Sequence, residues 1–132
     1  GGEMGDSLAA TTLGSGRTAT QISMKYRQGC AVLDNGDLKC WGLNTYGNLG
    51  KGNTTTLGDG AGEMGDNLTP ISLNGTMSQF AQGIYHVCVM TTAKQVFCFG
   101  RASQGALGNG STTQNIGDGA NEMGGNLVRV NL

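Results

Sequence analysis

The residues best suited to chemistry in this chain lie in an acidic, glycine-rich stretch, "GDGAGEMGDNLTPISL" at 58–73, which returns as "GDGANEMGGNLVRVNL" at 117–132. Its second half occurs a third time as "GGEMGDSLAATTL" at 1–13. Carboxylates spaced by glycines are one way to gather the six to eight oxygens that Ca²⁺ takes, and Asp59, Glu63, Asp66, Asp118 and Glu122 are the candidate ligands. The spacing fits neither the EF-hand loop nor the nonapeptide calcium repeat, and one copy has Gly125 where the other has Asp66. The stretch therefore reads first as structure, with Gly58, Gly60 and Gly65 making turns and the carboxylates accepting backbone N–H bonds. No metal is assigned. A phosphate cradle is excluded, because no Lys or helix start follows the glycines.

Four cysteines form the second set. Cys30 and Cys40 recur as Cys88 and Cys98, both shifted by 58. With one His in the chain and no tight C-x₂₋₄-C pair, they read as disulfides rather than zinc ligands. Of the three connectivities, Cys30–Cys40 and Cys88–Cys98 are favoured, because each pair flanks one hairpin. The competing reading is four reduced cysteines in a cytosolic protein. If Cys30 is to face Cys40, the intervening turn needs a three-residue loop, placed at Asn35-Gly36-Asp37, or a bulge. Staples of this length contribute roughly 2 to 3 kcal/mol each.

The elements around these residues follow a repeat. Glu3, Glu63 and Glu122 align at periods of 60 and 59, and "CWGLNTYGNLGKG" (40–52) matches "CFGRASQGALGNG" (98–110). The chain divides into a tail of a preceding repeat at 1–13, repeat 1 at 14–73 and repeat 2 at 74–132. "CAVLDNGDLKCWG" (30–42) holds an Asn-Gly hairpin signal, whose two central positions are expected at positive φ. "CVMTTAKQVFCFG" (88–100) has Ala93-Lys94 in that place, so its turn is expected to be of another type or longer. "ISL" (71–73) and "VRVNL" (128–132) alternate and read as further strands. No stretch carries a helical period.

On "GIYHVCVM", "CAVLDNGDLKCWGLNTYGNLGKG" and "GDGAGEMGDNLTPISL" the chain resembles the repeats of the regulator of chromosome condensation family, in its secreted, cysteine-containing variety. The resemblance covers nearly the whole chain and implies β-propeller blades, each a four-stranded antiparallel sheet. Repeat 1 departs from the family pattern at Lys25–Gln28, opposite Gly83–His86, so the family's Gly and His are absent there. The match of His86 implies packing and hydrogen bonding rather than catalysis, and Trp41 and Phe99, at one repeat position, read as blade core. The nucleotide-exchange activity of the founding member is nuclear and is not carried over.

The expected fold is all-β: antiparallel, propeller-blade-like repeats, two full units plus a partial third, open rather than closed. Two blades expose two apolar faces and need neighbours. The tail at 1–13 supplies what 117–132 supplies at the other end, so copies are head-to-tail compatible, closing as a ring or running on as a filament.

Composition narrows the function. Eight basic against nine acidic residues give a net charge of −1, too little field to hold a nucleic-acid backbone, and the short apolar runs leave no helical membrane span. N-x-[ST] sequons at Asn53, Asn67, Asn74 and Asn109 join the cysteines in pointing to an extracellular or cell-surface glycoprotein, with Pro70 weakening Asn67 as an acceptor. No triad partner accompanies His86, so no enzyme and no cofactor are expected. The reading is a non-catalytic extracellular structural repeat protein, partnered by copies of itself head to tail and by covalent glycans, assembling into a fibril or surface layer. The alternative is a protein-binding or adhesive segment of a larger closed propeller.

Overall fold

The computed structural model describes residues 3–132; Gly1 and Gly2 of the expected 1–13 tail lie outside the described residues. Among the described residues, six strands make two antiparallel sheets of identical plan. β1 (Ala19–Lys25), β2 (Gln28–Leu33) and β3 (Leu38–Gly42) form the first in the order β1-β2-β3; β4 (Met77–Gln82), β5 (His86–Thr91) and β6 (Val96–Gly100) form the second. Even the irregularities repeat, with a register shift at Ala19/Gln21 and another at Met77/Gln79. The fold is all-β and open, as the pattern led us to expect.

The hairpins explain the cysteine spacing. Cys30 faces Cys40 and Cys88 faces Cys98 across their ladders, each pair with Cα atoms 4.1 Å apart and joined as a disulfide. Such a face-to-face register requires an odd-numbered loop. That loop is Asp34-Asn35-Gly36, one residue earlier than the sequence suggested: the Leu33 N–H donates to Asp37 O at 2.9 Å and the Gly36 N–H to Leu33 O at 2.9 Å. Gly36 has positive φ (86°) and Asn35 does not, so the Asn-Gly pair does not form the two-residue turn its composition favours. The second hairpin was expected to turn differently and does not. The Thr91 N–H donates to Gln95 O and the Lys94 N–H to Thr91 O, both at 2.9 Å, with Lys94 at φ 61° where Gly36 stands. Pairing of Cys88 with Cys98 fixes the same loop length, and Lys94 accepts a left-handed conformation to meet it.

The fourth strands are thinner than their alternation implied. Residues 71–73 make no ladder beyond the Ile71 N–H bond to Leu38 O (2.8 Å). Residues 128–132 contribute one bridge, Phe97 to Arg129, and the Val130 N–H bond to Val96 O (2.7 Å). Both segments lie where a fourth strand would, but Pro70 and the adjacent glycine-rich loops keep the pairing short. The first hairpin of repeat 1 forms despite its missing Gly and His: Lys25 pairs with Gln28 and Tyr26 takes φ 53° at the tip.

Alternation along the strands places the core. Cys30, Val32, Leu38 and Cys40 point from the first sheet toward the second, whose Val87, Val89, Phe97 and Phe99 point back; Leu49, Ile71 and Leu127 complete this buried cluster. Burying each such side chain stabilises the fold by about 1.5–3 kcal/mol. The opposite face of the second sheet carries Cys88 and Cys98 with Ala102 and Leu107.

Candidate functional surfaces

Three features of the two blades are candidates for function: the seam between them, their outer faces, and the loop ends of the sheets.

The glycine-rich acidic loop is the seam. The Glu63 carboxylate accepts the N–H groups of Gly58 (2.7 Å) and Gly60 (2.9 Å), and Glu122 accepts those of Gly117 and Gly119, both at 2.8 Å. These backbone donors, led by Gly60, hold the Glu63 carboxyl below its usual range. Asp66 accepts the Ser15 hydroxyl at 2.6 Å and the Ser15 N–H at 2.7 Å, which likewise lowers its pKa. In the other repeat Gly125 replaces Asp66, and the segment opposite Ser15, between Ser72 and Thr76, is two residues shorter and carries no hydroxyl, so the carboxylate and the hydroxyl that meets it are absent together, as for a structural contact. The five calcium candidates do not converge on one point: Glu63, Asp66 and Glu122 are committed to backbone or Ser15, Asp59 meets Glu63 alone, and Asp118 accepts the Asn115 amide at 3.2 Å. Among the described residues no group of three His, Cys, Asp or Glu side chains is placed to hold a metal ion.

The same loop ties repeat to repeat. Gly124 N–H donates to Ser72 O at 3.1 Å, and Gly65 N–H donates to Thr12 O at 3.0 Å, the equivalent bond one repeat earlier. A Cβ at Gly47 would lie 2.2 Å from the Asp118 nitrogen, so the first repeat's loop touches the second repeat's loop backbone to backbone. Lys51 donates to the Thr69 carbonyl and, at 3.1 Å, to the Thr69 hydroxyl; burial, with Lys39 nearby, lowers its pKa to about 8.

The two outer faces differ. On the first sheet, Lys39 stands where the second has Phe97, and its ammonium donates to Leu13 O (2.6 Å) and Gly65 O (3.0 Å). Trp41 lies over Gly29, where a Cβ would come within 2.6 Å of the indole, while Ile22 and Met24 on β1 are 68% and 60% exposed. On the second sheet, the face bearing Cys88 holds an apolar depression of about 260 Å³ lined by Ala81, Cys88, Met90 and Val96 among others. Its residues are the repeat equivalents of Ser23, Cys30, Val32 and Leu38, of which the last three are buried in the core against the second sheet. His86 packs its ring on Gly83, where a Cβ would lie 2.3 Å away, and burial lowers its pKa. Among the described residues its ring makes no hydrogen bond to a protein group. All four sequon asparagines are exposed.

Sequence reasoning missed the loop ends. Tyr26, Tyr46 and Tyr85 come from three separate loops, with ring centroids 5.5 Å (Tyr26–Tyr85) and 5.1 Å (Tyr46–Tyr85) apart, and the Arg101 guanidinium lies 4.8 Å from the Tyr46 ring. The available signal was the departure of Lys25–Gln28 from the repeat pattern, which places Tyr26 and Arg27 at this end.

The profile of the regulator of chromosome condensation (RCC1) repeat matches residues 19–48. The chain is similar to the E3 ubiquitin-protein ligase MYCBP2 of Danio rerio, 31% identical over 90 residues, and to the ultraviolet-B receptor UVR8 of Arabidopsis thaliana, 29% identical over 97. Those matches take in 68% and 70% of this chain but 2% and 20% of the relatives. In structure it resembles Prp20p of Saccharomyces cerevisiae (TM-score 0.66, 12% identity) over 92% of this chain and 27% of that one. Human WBSCR16 is similar over 78% and 25% (TM-score 0.59, 18% identity).

Proposed function

We propose that this chain, whose residues 19–48 match the regulator of chromosome condensation repeat and whose fold is that of a β-propeller segment, is a non-catalytic scaffold whose open blade faces are completed by further blades of the same kind. One observation carries this reading. The depression at Ala81, Cys88, Met90 and Val96 is open, whereas the equivalent surface of the first sheet, with Cys30 and Leu38 at 0% and 1% exposure, is closed by the second blade. An apolar face of that kind is stabilised by a neighbour.

The further blades come from a longer run of repeats closing a ring that binds proteins, or from copies of this chain joined end to end in a fibril or surface layer. The ring is favoured by the match to about a quarter of each similar structure (25% and 27%). The end-to-end assembly is supported by the intrachain Gly65–Thr12 bond, which has the same form as Gly124–Ser72 one repeat later. The non-catalytic reading is supported by the commitment of Glu63, Glu122 and Asp66 to internal hydrogen bonds.

The compartment belongs to the same proposal. Two disulfides and four exposed sequons suit a secreted or surface glycoprotein. Electron microscopy of the purified chain separates the readings: closed particles of uniform diameter support the ring, filaments support end-to-end growth, and dispersed single subunits overturn both. Intact mass after secretion from eukaryotic cells tests the glycans, with loss of mass on deglycosylation expected at Asn53, Asn74 and Asn109; an unmodified chain would reject that part.

A further inference from the structure

The loop end of the two sheets carries an arrangement that the scaffold role does not use. Tyr26 and Arg27 form the tip of the β1–β2 hairpin, Tyr85 the tip of β4–β5, and Tyr46 and Arg101 follow β3 and β6. The Arg101 guanidinium lies over two rings, 4.8 Å from the Tyr46 centroid and 5.7 Å from that of Tyr85, while Arg27 lies 5.3 Å from the Tyr26 centroid. Stacking occupies the face of a guanidinium and leaves its N–H edge free. Among the described residues neither Arg27 nor Arg101 has a side-chain hydrogen bond, and the one salt bridge, Arg17–Asp34, involves neither. With Lys25, three of the chain's eight basic residues lie at this end.

The frame beneath is rigid. Asn44 and Asn48, at 0% and 1% exposure, hold the loop of Tyr46: the Asn44 amide donates to Asn53 O (2.8 Å) and Thr55 O (3.0 Å), and the Tyr46 N–H donates to the Asn48 side chain (3.3 Å). Arg101 N–H donates to Tyr85 O at 2.8 Å, fixing the two residues together. Tyr26 at φ 53° and Gln104 at φ 59° flank the cluster, and left-handed conformations in such residues are costly ones that concentrate at functional sites. A groove of about 420 Å³ runs alongside, past Ile84, Tyr85, His86 and Arg101 to Gln104. Ile84 is 57% exposed.

We infer that this end is a docking surface for an acidic segment of a partner protein, with Arg101 and Arg27 taking carboxylates and Tyr26, Tyr85 and Ile84 taking the apolar side chains between them. Tyr and Arg are the residue types that dominate protein–protein binding energy, and preorganised guanidiniums with free edges match carboxylates bidentately. The inference rests on the protein-binding scaffold reading but uses none of the residues of the open blade faces.

The test is fluorescence anisotropy with a fluorescein-labelled peptide of alternating Asp and Glu carrying one central Phe, against a Lys-substituted counterpart, at two salt concentrations. Saturable binding of the acidic peptide is expected, weakening with salt. Arg101→Ala should lower affinity about tenfold and Tyr85→Ala comparably, whereas Arg101→Lys, which keeps the charge but loses the planar fork, should fall between. Absence of binding, equal binding of the Lys peptide, or an unchanged affinity in Arg101→Ala at an unchanged melting temperature would each overturn the inference. Because oligomeric state reads the blade faces separately, failure of peptide binding in an assembling chain rejects this surface alone.

Discussion

Leu38 and Val96 hold the same position in successive repeats, and their truncation to Ala separates a face that is covered from one that is open. Leu38 is 1% exposed and packs with Cys30, Val32 and Cys40 against the second sheet. A buried Leu→Ala change costs about 2–5 kcal/mol through lost burial and the cavity left behind; the close-packed site between two stapled sheets places Leu38→Ala near 3 kcal/mol. Val96 borders the open depression, is only partly buried, and loses fewer atoms, so Val96→Ala should cost about 1 kcal/mol or less. The assay is urea unfolding followed by circular dichroism at a concentration low enough to keep subunits apart. With a slope of about 2 kcal/mol/M, the Leu38→Ala midpoint falls by about 1.5 M and the Val96→Ala midpoint by about 0.5 M or less, at unchanged slope. Equal losses, or a larger loss in Val96→Ala, would refute the assignment of one covered and one open face.

Further outcomes follow from individual contacts. Lys94→Gly should stabilise the chain by about 0.5–1 kcal/mol, because release of the left-handed strain outweighs the extra freedom of an unfolded Gly, while Gly36→Ala at the equivalent turn should lower stability by about 1 kcal/mol; paired urea curves decide, and a destabilising Lys94→Gly would deny the strain. Asp66→Gly, which removes both bonds, should lower the melting temperature more than Ser15→Gly, which keeps the residue-15 N–H donor, and the double variant should lose no more than Asp66→Gly alone. Additive losses would separate the two residues. Acid should destabilise the chain in two windows: the folded pKa of His86 is lowered, so its contribution fades as pH falls below about 6.5, and the lowered pKa values of Glu63 and Asp66 make theirs fade below about 4.5. In Glu63→Gln the second decline should be shallower, and a profile identical to the parent would remove the seam carboxylate from the account.

Features that repeat were legible in the sequence, because period and spacing report them. The 58-residue shift between Cys30–Cys40 and Cys88–Cys98 located two hairpins of one plan. Features set by tertiary contact were not. Nothing local in "TTAKQ" signals that Lys94 copies the conformation of Gly36; the opposed cysteines impose it. The alternation of 71–73 and 128–132 promised full strands, yet adjacent glycine-rich loops, and Pro70 beside the first, left one or two backbone bonds each. The replacement of Asp66 by Gly125 looked like a lost ligand until its partner Ser15 was seen to have no hydroxyl counterpart in the second repeat. The tyrosine cluster was hidden for the plainest reason: residues 26, 46, 85 and 101 meet only because two blades pack side by side.

The surface around Met90 and Val96 is the one we propose another blade covers. Light scattering of the purified chain across micromolar concentrations, alongside Met90→Asp, tests that proposal most directly. The mass of the parent chain should rise in multiples of 13.5 kDa while that of Met90→Asp stays at one multiple, with both folded by circular dichroism. A parent chain that remains at 13.5 kDa throughout, or a Met90→Asp chain that assembles as the parent does, would contradict it.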